Sequence, residues 1–442
     1  MQVRVVRAAG FSGKTGVPGD KSISHRALLF SALAEGTCRV ENLSPGGDVR
    51  STAECLRRLG VEMRALEDGV IEIHGRGLHA LRPPSGLLDC GNSGTTMRLL
   101  SGVIAGAGVG GTLDGDESLR GRPMKRVLQP LRWMGAQAEG ARNPKGDELA
   151  PLVFKPGVAL TGRSHDLAIA SAQVKSCLLL AGLYAEGETT VREPEPSRDH
   201  TERMFRAFGV PLHFAADGAV TVSPPRSPLR APEQLTVPGD PSSAAFWIGA
   251  ALLVPGAELE VEGVDVNPTR TGFLRVLQRM GAGLEIIPTG ERAGDPTATI
   301  RVRGGARLRG TDVLAGEVPS LLDEVPILAI VASQAHGVTR LEGAGELRVK
   351  ESDRLAQLTK GLRAMGVPVE ERPDGFLIEG PHALKAADID AARDHRIAMS
   401  FAIAGLVAEG ETRVEGAEWA DISYPGFFRL LSQMSGGAVQ TG

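Results

Sequence analysis

Val17-Pro18-Gly19-Asp20-Lys21-Ser22 opens an apolar, Ala- and Leu-rich run, and about half the chain later Val237-Pro238-Gly239-Asp240-Pro241-Ser242 opens another. Such a near-copy marks an internal duplication, and a finer rhythm lies inside each half. Helix-like stretches end in glycine at Leu56-Arg57-Arg58-Leu59-Gly60, Leu131-Arg132-Trp133-Met134-Gly135, Phe205-Arg206-Ala207-Phe208-Gly209, Leu277-Gln278-Arg279-Met280-Gly281 and Leu362-Arg363-Ala364-Met365-Gly366. A degenerate sixth copy is Leu431-Ser432-Gln433-Met434-Ser435-Gly436. A second marker, a glycine ahead of a short strand-like run, keeps the same beat at Gly36, Gly187, Gly256, Gly337 and Gly410, more weakly at Gly111. The chain therefore reads as six α/β units of about 74 residues, grouped three and three, because such units bury their faces only against one another. Each unit reads as helix, strand, helix and a strand pair. The near-copies mark two crossovers, so one domain is expected over 18–237 and the other over 1–17 with 238–442.

The repeats account for an odd composition. Of 442 residues 57 are glycine, whereas aromatic residues make up only 4%; the glycines are expected to cap helices and turn the chain. Hydrophobic residues at 42% and charged residues at 23% fit a well-cored globular chain and exclude general disorder. No stretch reaches the roughly 18 apolar residues of a membrane span. A net charge of −4 argues against a nucleic-acid binder and leaves room for a local basic pocket. The four cysteines lack metal or disulfide spacing, and Met1 to Gly10 holds no apolar leader, so a reduced, cytoplasmic protein is expected. Two nucleotide motifs fail on context. Gly10-Phe11-Ser12-Gly13-Lys14-Thr15 is followed by Gly16-Val17-Pro18-Gly19, where a phosphate loop needs a helix. Gly106-Ala107-Gly108-Val109-Gly110-Gly111 closes a helical run instead of opening one.

The chemistry concentrates at helix starts. Asp20-Lys21-Ser22-Ile23-Ser24-His25-Arg26 places two cations near a helix N-terminus, where free N–H groups favour phosphate or carboxylate. The second near-copy keeps Ser242 but has Pro241 and Ala245 where Lys21 and Arg26 stand. Gly91-Asn92-Ser93-Gly94-Thr95-Thr96-Met97-Arg98, Ser171-Ala172-Gln173-Val174-Lys175-Ser176 and Ser197-Arg198-Asp199-His200-Thr201 are further small or polar helix starts, and Gly121-Arg122-Pro123-Met124-Lys125 adds cations. The second half supplies acid–base groups: Asp323-Glu324, then Arg348-Val349-Lys350-Glu351-Ser352-Asp353-Arg354, then Arg393-Asp394-His395-Arg396. The spacing of Lys350 and Arg354 predicts one helix face with Glu351 beside them.

These motifs, in this order over almost the whole chain, resemble the 5-enolpyruvylshikimate-3-phosphate synthase (3-phosphoshikimate 1-carboxyvinyltransferase) family. The resemblance implies two domains of three βαβαββ units each, an inside-out α/β barrel-like arrangement with the site in the interdomain cleft. It implies transfer of the enolpyruvyl group of phosphoenolpyruvate to the 5-hydroxyl of shikimate 3-phosphate with release of phosphate, in the shikimate pathway to chorismate and the aromatic amino acids. It implies a monomer with small-molecule substrates, no nucleic acid or membrane partner, no cofactor and no metal, and a target of glyphosate. By position, Lys21, Ser22, Arg26, Ser171, Ala172, Gln173, Arg198, Asp323 and Lys350 are implied to hold shikimate 3-phosphate. Lys21, Gly94, Arg122, Gln173, Arg354 and Arg396 are implied to hold phosphoenolpyruvate, with Asn92 and His395 in support. Asp323 is the expected base on the 5-hydroxyl, and Glu351 with Lys21 would handle the methylene proton. A carboxylate beside Lys350 and Arg354 donates a proton only if burial raises its pKa. Ile422 stands where many members have a Lys, Ala172 where some have Ser, and Glu346 where some have Asn. Gly94 is kept where glyphosate-tolerant members carry Ala. UDP-N-acetylglucosamine enolpyruvyl transferases share the fold and co-substrate. They generally use a mobile-loop Cys, and Asp114 to Lys125 contains none.

Overall fold

Two kinds of helix alternate along the chain, and their burial separates them. The first helix of each unit is apolar on nearly every side: α1 (Lys21–Leu33), α2 (Gly94–Ala107), α3 (Ala172–Gly182), α4 (Pro241–Leu253), α5 (Val325–Ala332) and α6 (His395–Gly405). Burial in α1 is continuous from Ile23 to Leu33, as expected of a helix inside a core. The second helices, such as Gly47–Arg58 and Gly272–Arg279, bury one stripe and turn their charges outward. The computed structural model describes residues 1–442, apart from the side chain of Asp68.

Among the described residues the strands form six four-stranded sheets of one topology, the first strand parallel to the second and the rest antiparallel. Three sheets borrow a strand from far along the chain. Gln234–Thr236 runs parallel to Glu35–Glu41, with Leu235 opposite Val40. Ser12–Gly16 runs parallel to Glu258–Asp265, and Gln2–Val5 lies between Thr412–Glu415 and Val439–Thr441. The marker glycines take left-handed backbone, with φ of +90° at Gly60 and +110° at Gly135, which explains why glycine recurs there.

The chain divides into two compact units. One comprises Gly19–Pro238 with Glu291–Asp295, the other Met1–Pro18, Gly239–Gly290 and Pro296–Gly442; they are called the first-half and second-half units below. Each has its own apolar core. In the first-half unit α2 and α3 approach so closely that a Cβ on Gly102 would sit 2.1 Å from the Cys177 carbonyl oxygen. Among the described residues no helix is long and apolar enough to cross a membrane.

Candidate active site

In the first-half unit, the starts of α1, α2 and α3 carry the expected anion-holding residues. The Asp20 carboxylate accepts the Ile23 N–H at 2.8 Å and caps α1, which puts Lys21 and Ser22 in its first turn. Lys21 is exposed, with Nζ 3.1 Å from Asp48 Oδ2. Burial alone would raise the Asp48 pKa, but Lys21 and His25 outweigh it and hold the carboxyl below its ordinary range. Arg26 is buried. Its Nε donates to Thr201 Oγ1 (2.6 Å), Nη1 to the Ser22 carbonyl (2.8 Å) and Nη2 to Ser176 Oγ (2.7 Å). Burial lowers its pKa to about 10. Arg26 thus ties α1 to α3 and to the helix His200–Ala207.

Ser93 caps α2. A Cβ on buried Gly94 would lie 2.7 Å from Arg98 Nη1 and 3.2 Å from Arg122 Nη1, so two guanidinium groups crowd this helix start. Arg122 Nη2 donates to Asn92 Oδ1 at 2.6 Å, and Asn92 Nδ2 to Asp116 Oδ2 at 2.7 Å. Arg98 Nη1 donates to Gln173 Oε1 at 2.5 Å, and Gln173 Nε2 to Thr95 Oγ1 at 2.8 Å, which locks the start of α3 to that of α2. Burial, with Arg126 and Arg122 nearby, lowers the Arg98 pKa to about 10. Arg98 lies in a quoted motif but is not among the residues the resemblance implies. The signal was its position four residues after Gly94, because helical side chains lean toward the N-terminus. Ser171 caps α3, accepting the Val174 N–H at 3.4 Å, with Ala172 as the first helical residue. Arg198 is half-buried just ahead of the helix His200–Ala207. Asp199, His200 and Asp295 bring one atom each within 4.8 Å, a spacing a metal ion fits. Arg203 already sits there as the cation, with Nε 2.9 Å from Asp199 and 3.5 Å from Asp295.

The second-half unit gathers Asp323, Glu351, Arg354, Asp394, His395 and Arg396. Arg354 is buried, with Nε 2.8 Å from Asp394 Oδ2, Nη2 2.6 Å from Glu351 Oε2 and Nη1 3.8 Å from Asp323 Oδ1. Arg396 Nη1 donates to the Asp323 carbonyl at 2.8 Å. Asp394 caps α6 and also accepts from Ser352 Oγ at 3.0 Å; sequence reasoning gave this fixed partner of Arg354 no role. His395 is buried, and burial with Arg396 and Arg354 beside it pushes its pKa down to about 3, so it is neutral at physiological pH.

Two expectations need correction here. Lys350 and Arg354 do not share a helix face. A 3-10 turn ends at Val349, Lys350 is extended, and the helix begins only at Arg354 because Asp353 caps it by accepting the Ala356 N–H. Lys350 Nζ instead lies 2.7 Å from Glu346 Oε1. The Glu351 pKa is not raised. Burial pushes it up, but Arg354, His395 and Arg396 outweigh that and hold it at about 2, so the group is a carboxylate. Ile422 ends a 3-10 turn, partly exposed.

Comparison with known proteins identifies the family. The family model described as EPSP synthase (3-phosphoshikimate 1-carboxyvinyltransferase) matches residues 7–431. The chain belongs to the EPSP synthase family. Among its curated relatives, the 3-phosphoshikimate 1-carboxyvinyltransferase of Synechococcus sp. (strain RCC307) is 50% identical over 96% of both chains. That of Thermodesulfovibrio yellowstonii is 45% identical over 97% of this chain and 99% of the relative. The solved EPSP synthase of Acinetobacter baumannii superposes with a TM-score of 0.91 at 42% identity, over 99% of each chain. The enolpyruvyl transferase NikO of Streptomyces tendae shares the fold, with a TM-score of 0.75 at 18% identity over 99% of this chain and 98% of that one. The two-domain enolpyruvyl transferase fold of the EPSP synthases is therefore the fold of this chain.

Proposed function

We propose that this chain transfers the enolpyruvyl group of phosphoenolpyruvate to the 5-hydroxyl of shikimate 3-phosphate, as a cytoplasmic monomer. Four buried, unpaired cysteines fit a reducing compartment. The observation that carries the reading is the guanidinium pair Arg354 and Arg396 set among Asp323, Glu351 and Asp394. Cations for a carboxylate and groups that move protons stand together there.

In this reading Lys21, Ser22, Ser171, Gln173, Arg198 and Lys350 hold shikimate 3-phosphate, with Arg26 placing Ser22 from beneath. Lys21, Arg122, Gln173, Arg354 and Arg396 hold phosphoenolpyruvate, with Arg98 added. Asp323 takes the proton of the 5-hydroxyl as its oxygen bonds to C2 of phosphoenolpyruvate, while the methylene carbon gains a proton. The C2–O bond to phosphate then breaks and a methyl proton leaves, restoring the double bond. Lys21, Arg122, Arg354 and Arg396 neutralise the departing phosphate. Glu351, held ionised beside Arg354, has no proton to donate and is a weak base in the protein without substrates. A substrate carboxylate on Arg354 and Arg396 would offset the cations that hold Glu351 ionised, raising its pKa toward a donor's range.

Incubation with phosphoenolpyruvate and shikimate 3-phosphate should release inorganic phosphate, and UDP-N-acetylglucosamine in place of shikimate 3-phosphate should not. The reverse pattern, from a folded protein, would overturn the reading.

A further inference from the structure

Lys175, one turn into α3, carries its charge into the first-half core. Its side chain is 6% exposed, and Nζ lies 2.7 Å from Glu193 Oε2 and 2.8 Å from Glu202 Oε1, themselves 7% and 3% exposed. Burial disfavours the ammonium, yet the two carboxylates outweigh it and hold the pKa above its ordinary value. Buried ion pairs add little stability over an apolar replacement, so stability alone does not explain this one. The remaining bonds of Glu193 do. Its Oε1 accepts the backbone N–H of Ser171 at 2.7 Å, and Ser197 Oγ lies 2.8 and 2.7 Å from its two oxygens. One carboxylate thus joins the cap of α3 to the residue before Arg198.

We propose that Glu193, oriented by Lys175, is a positioning residue that clamps Ser171 to Ser197-Arg198, so that the two segments meet the 3-phosphate of shikimate 3-phosphate as one rigid acceptor. This rests on the function proposed above. Lys175 also offsets part of the repulsion that the buried carboxylates of Glu193 and Glu202 would exert on an incoming phosphate.

The test is Glu193→Gln, which keeps the shape but leaves one acceptor oxygen for three donors. KM for shikimate 3-phosphate should rise about tenfold or more, while kcat and KM for phosphoenolpyruvate stay within about threefold. Amide exchange across 171–173 should accelerate in the protein without substrates. Lys175→Met should give the same split, and the double variant should be no worse than either single one, because the pair acts as a unit. Ser197→Ala removes one tie without touching the core and should raise the same KM a few-fold. An unchanged KM for shikimate 3-phosphate in folded Glu193→Gln, or an equal rise in both KM values, would overturn the clamp. Wild-type turnover run alongside separates the two claims. No wild-type turnover overturns the function, whereas wild-type turnover with an unaltered variant KM overturns only the clamp.

Discussion

The helix starts at Asp20-Lys21-Ser22 and Asp240-Pro241-Ser242 share a cap and differ in what fills them. In both, an Asp carboxylate accepts a first-turn N–H at 2.8 Å, from Ile23 in one and from Ser242 in the other. In the first half the next residue is an exposed Lys; in the second it is buried Pro241, which has no N–H to offer an anion. Ser242 donates its hydroxyl to buried Glu324 and accepts from Arg270 Nη2 at 2.9 Å. Burial raises the Glu324 pKa, with Arg270 only partly opposing it. The second-half start is thus filled by the chain's own carboxyl. In the function proposed above, the same scaffold serves as a ligand site in the first half, where the cation Lys21 stands at the rim beside Asp48. In the second half the groups proposed to react sit instead near the starts of α5, of α6 and of the helix Arg354–Ala364.

The contrast breaks most visibly at the acid–base groups. Asp323→Asn should lower kcat by about 10²–10⁴-fold and move both KM values far less; near-native phosphate release would remove Asp323 from the chemistry. Lys21→Met erases the cation that distinguishes the two starts and should lower kcat/KM for both substrates by ten- to a hundredfold or so. An unchanged kcat/KM would mean that the exposed charge serves no substrate. Gly94→Ala sets a methyl 2.7 Å from Arg98 Nη1 and 3.2 Å from Arg122 Nη1, so at least one guanidinium must move. KM for phosphoenolpyruvate should rise about tenfold and that for shikimate 3-phosphate by less; the opposite ranking would place the second substrate at this helix start. The two serines make the smallest and sharpest pair. Ser22→Ala should weaken shikimate 3-phosphate a few-fold and leave stability within about 0.5 kcal/mol. Ser242→Ala strips buried Glu324 of a donor and should cost about 1–3 kcal/mol in denaturant unfolding, with the KM values unmoved.

The six-fold rhythm is legible in the sequence because left-handed backbone selects glycine at each helix end, as at Gly60 and Gly135. The helix starts are legible because capping residues are few in kind. What escapes is set by long-range partners. Arg26 looks like an exposed cation beside Lys21, yet Ser176 and Thr201, far along the chain, draw it inside. The ion pair of Lys175 with Glu193 spans a strand and a loop that no periodicity links. Lys350 to Arg354 has helical spacing, but a cap at Asp353 overrules it, and short charged stretches hold no apolar stripe to arbitrate. The Glu351 pKa depends on whether burial or its neighbours Arg354, His395 and Arg396 prevail, and residue types alone do not decide that.

Acid stability extends the comparison to each unit as a whole, because each buries a histidine whose pKa burial pushes far down, His25 in the first-half unit and His395 in the second-half unit. His25 in the first-half unit lies in a hydrogen-bonded chain through Thr52 and Thr96 to Ser93, each link 2.7 Å, which connects α1 to the cap of α2. Burial pushes its pKa down to about 3, the value also reached by His395. An unfolded histidine titrates near 6.5. Above that pH neither state is protonated and the full stability is present. Between about 6.5 and 3 the unfolded state takes up a proton that the folded state refuses, so stability falls as the pH drops, by about 1.4 kcal/mol per pH unit for each histidine. His25→Gln should therefore flatten the acid limb of the unfolding free energy by about one proton, with no change of slope above pH 7. His395→Gln should do the same. If the two units unfold in separate steps, each variant should flatten only its own. A slope unaltered by His25→Gln would mean that the folded first-half unit accepts the proton, and that the Thr52–Thr96–Ser93 chain tolerates a charge at its buried end.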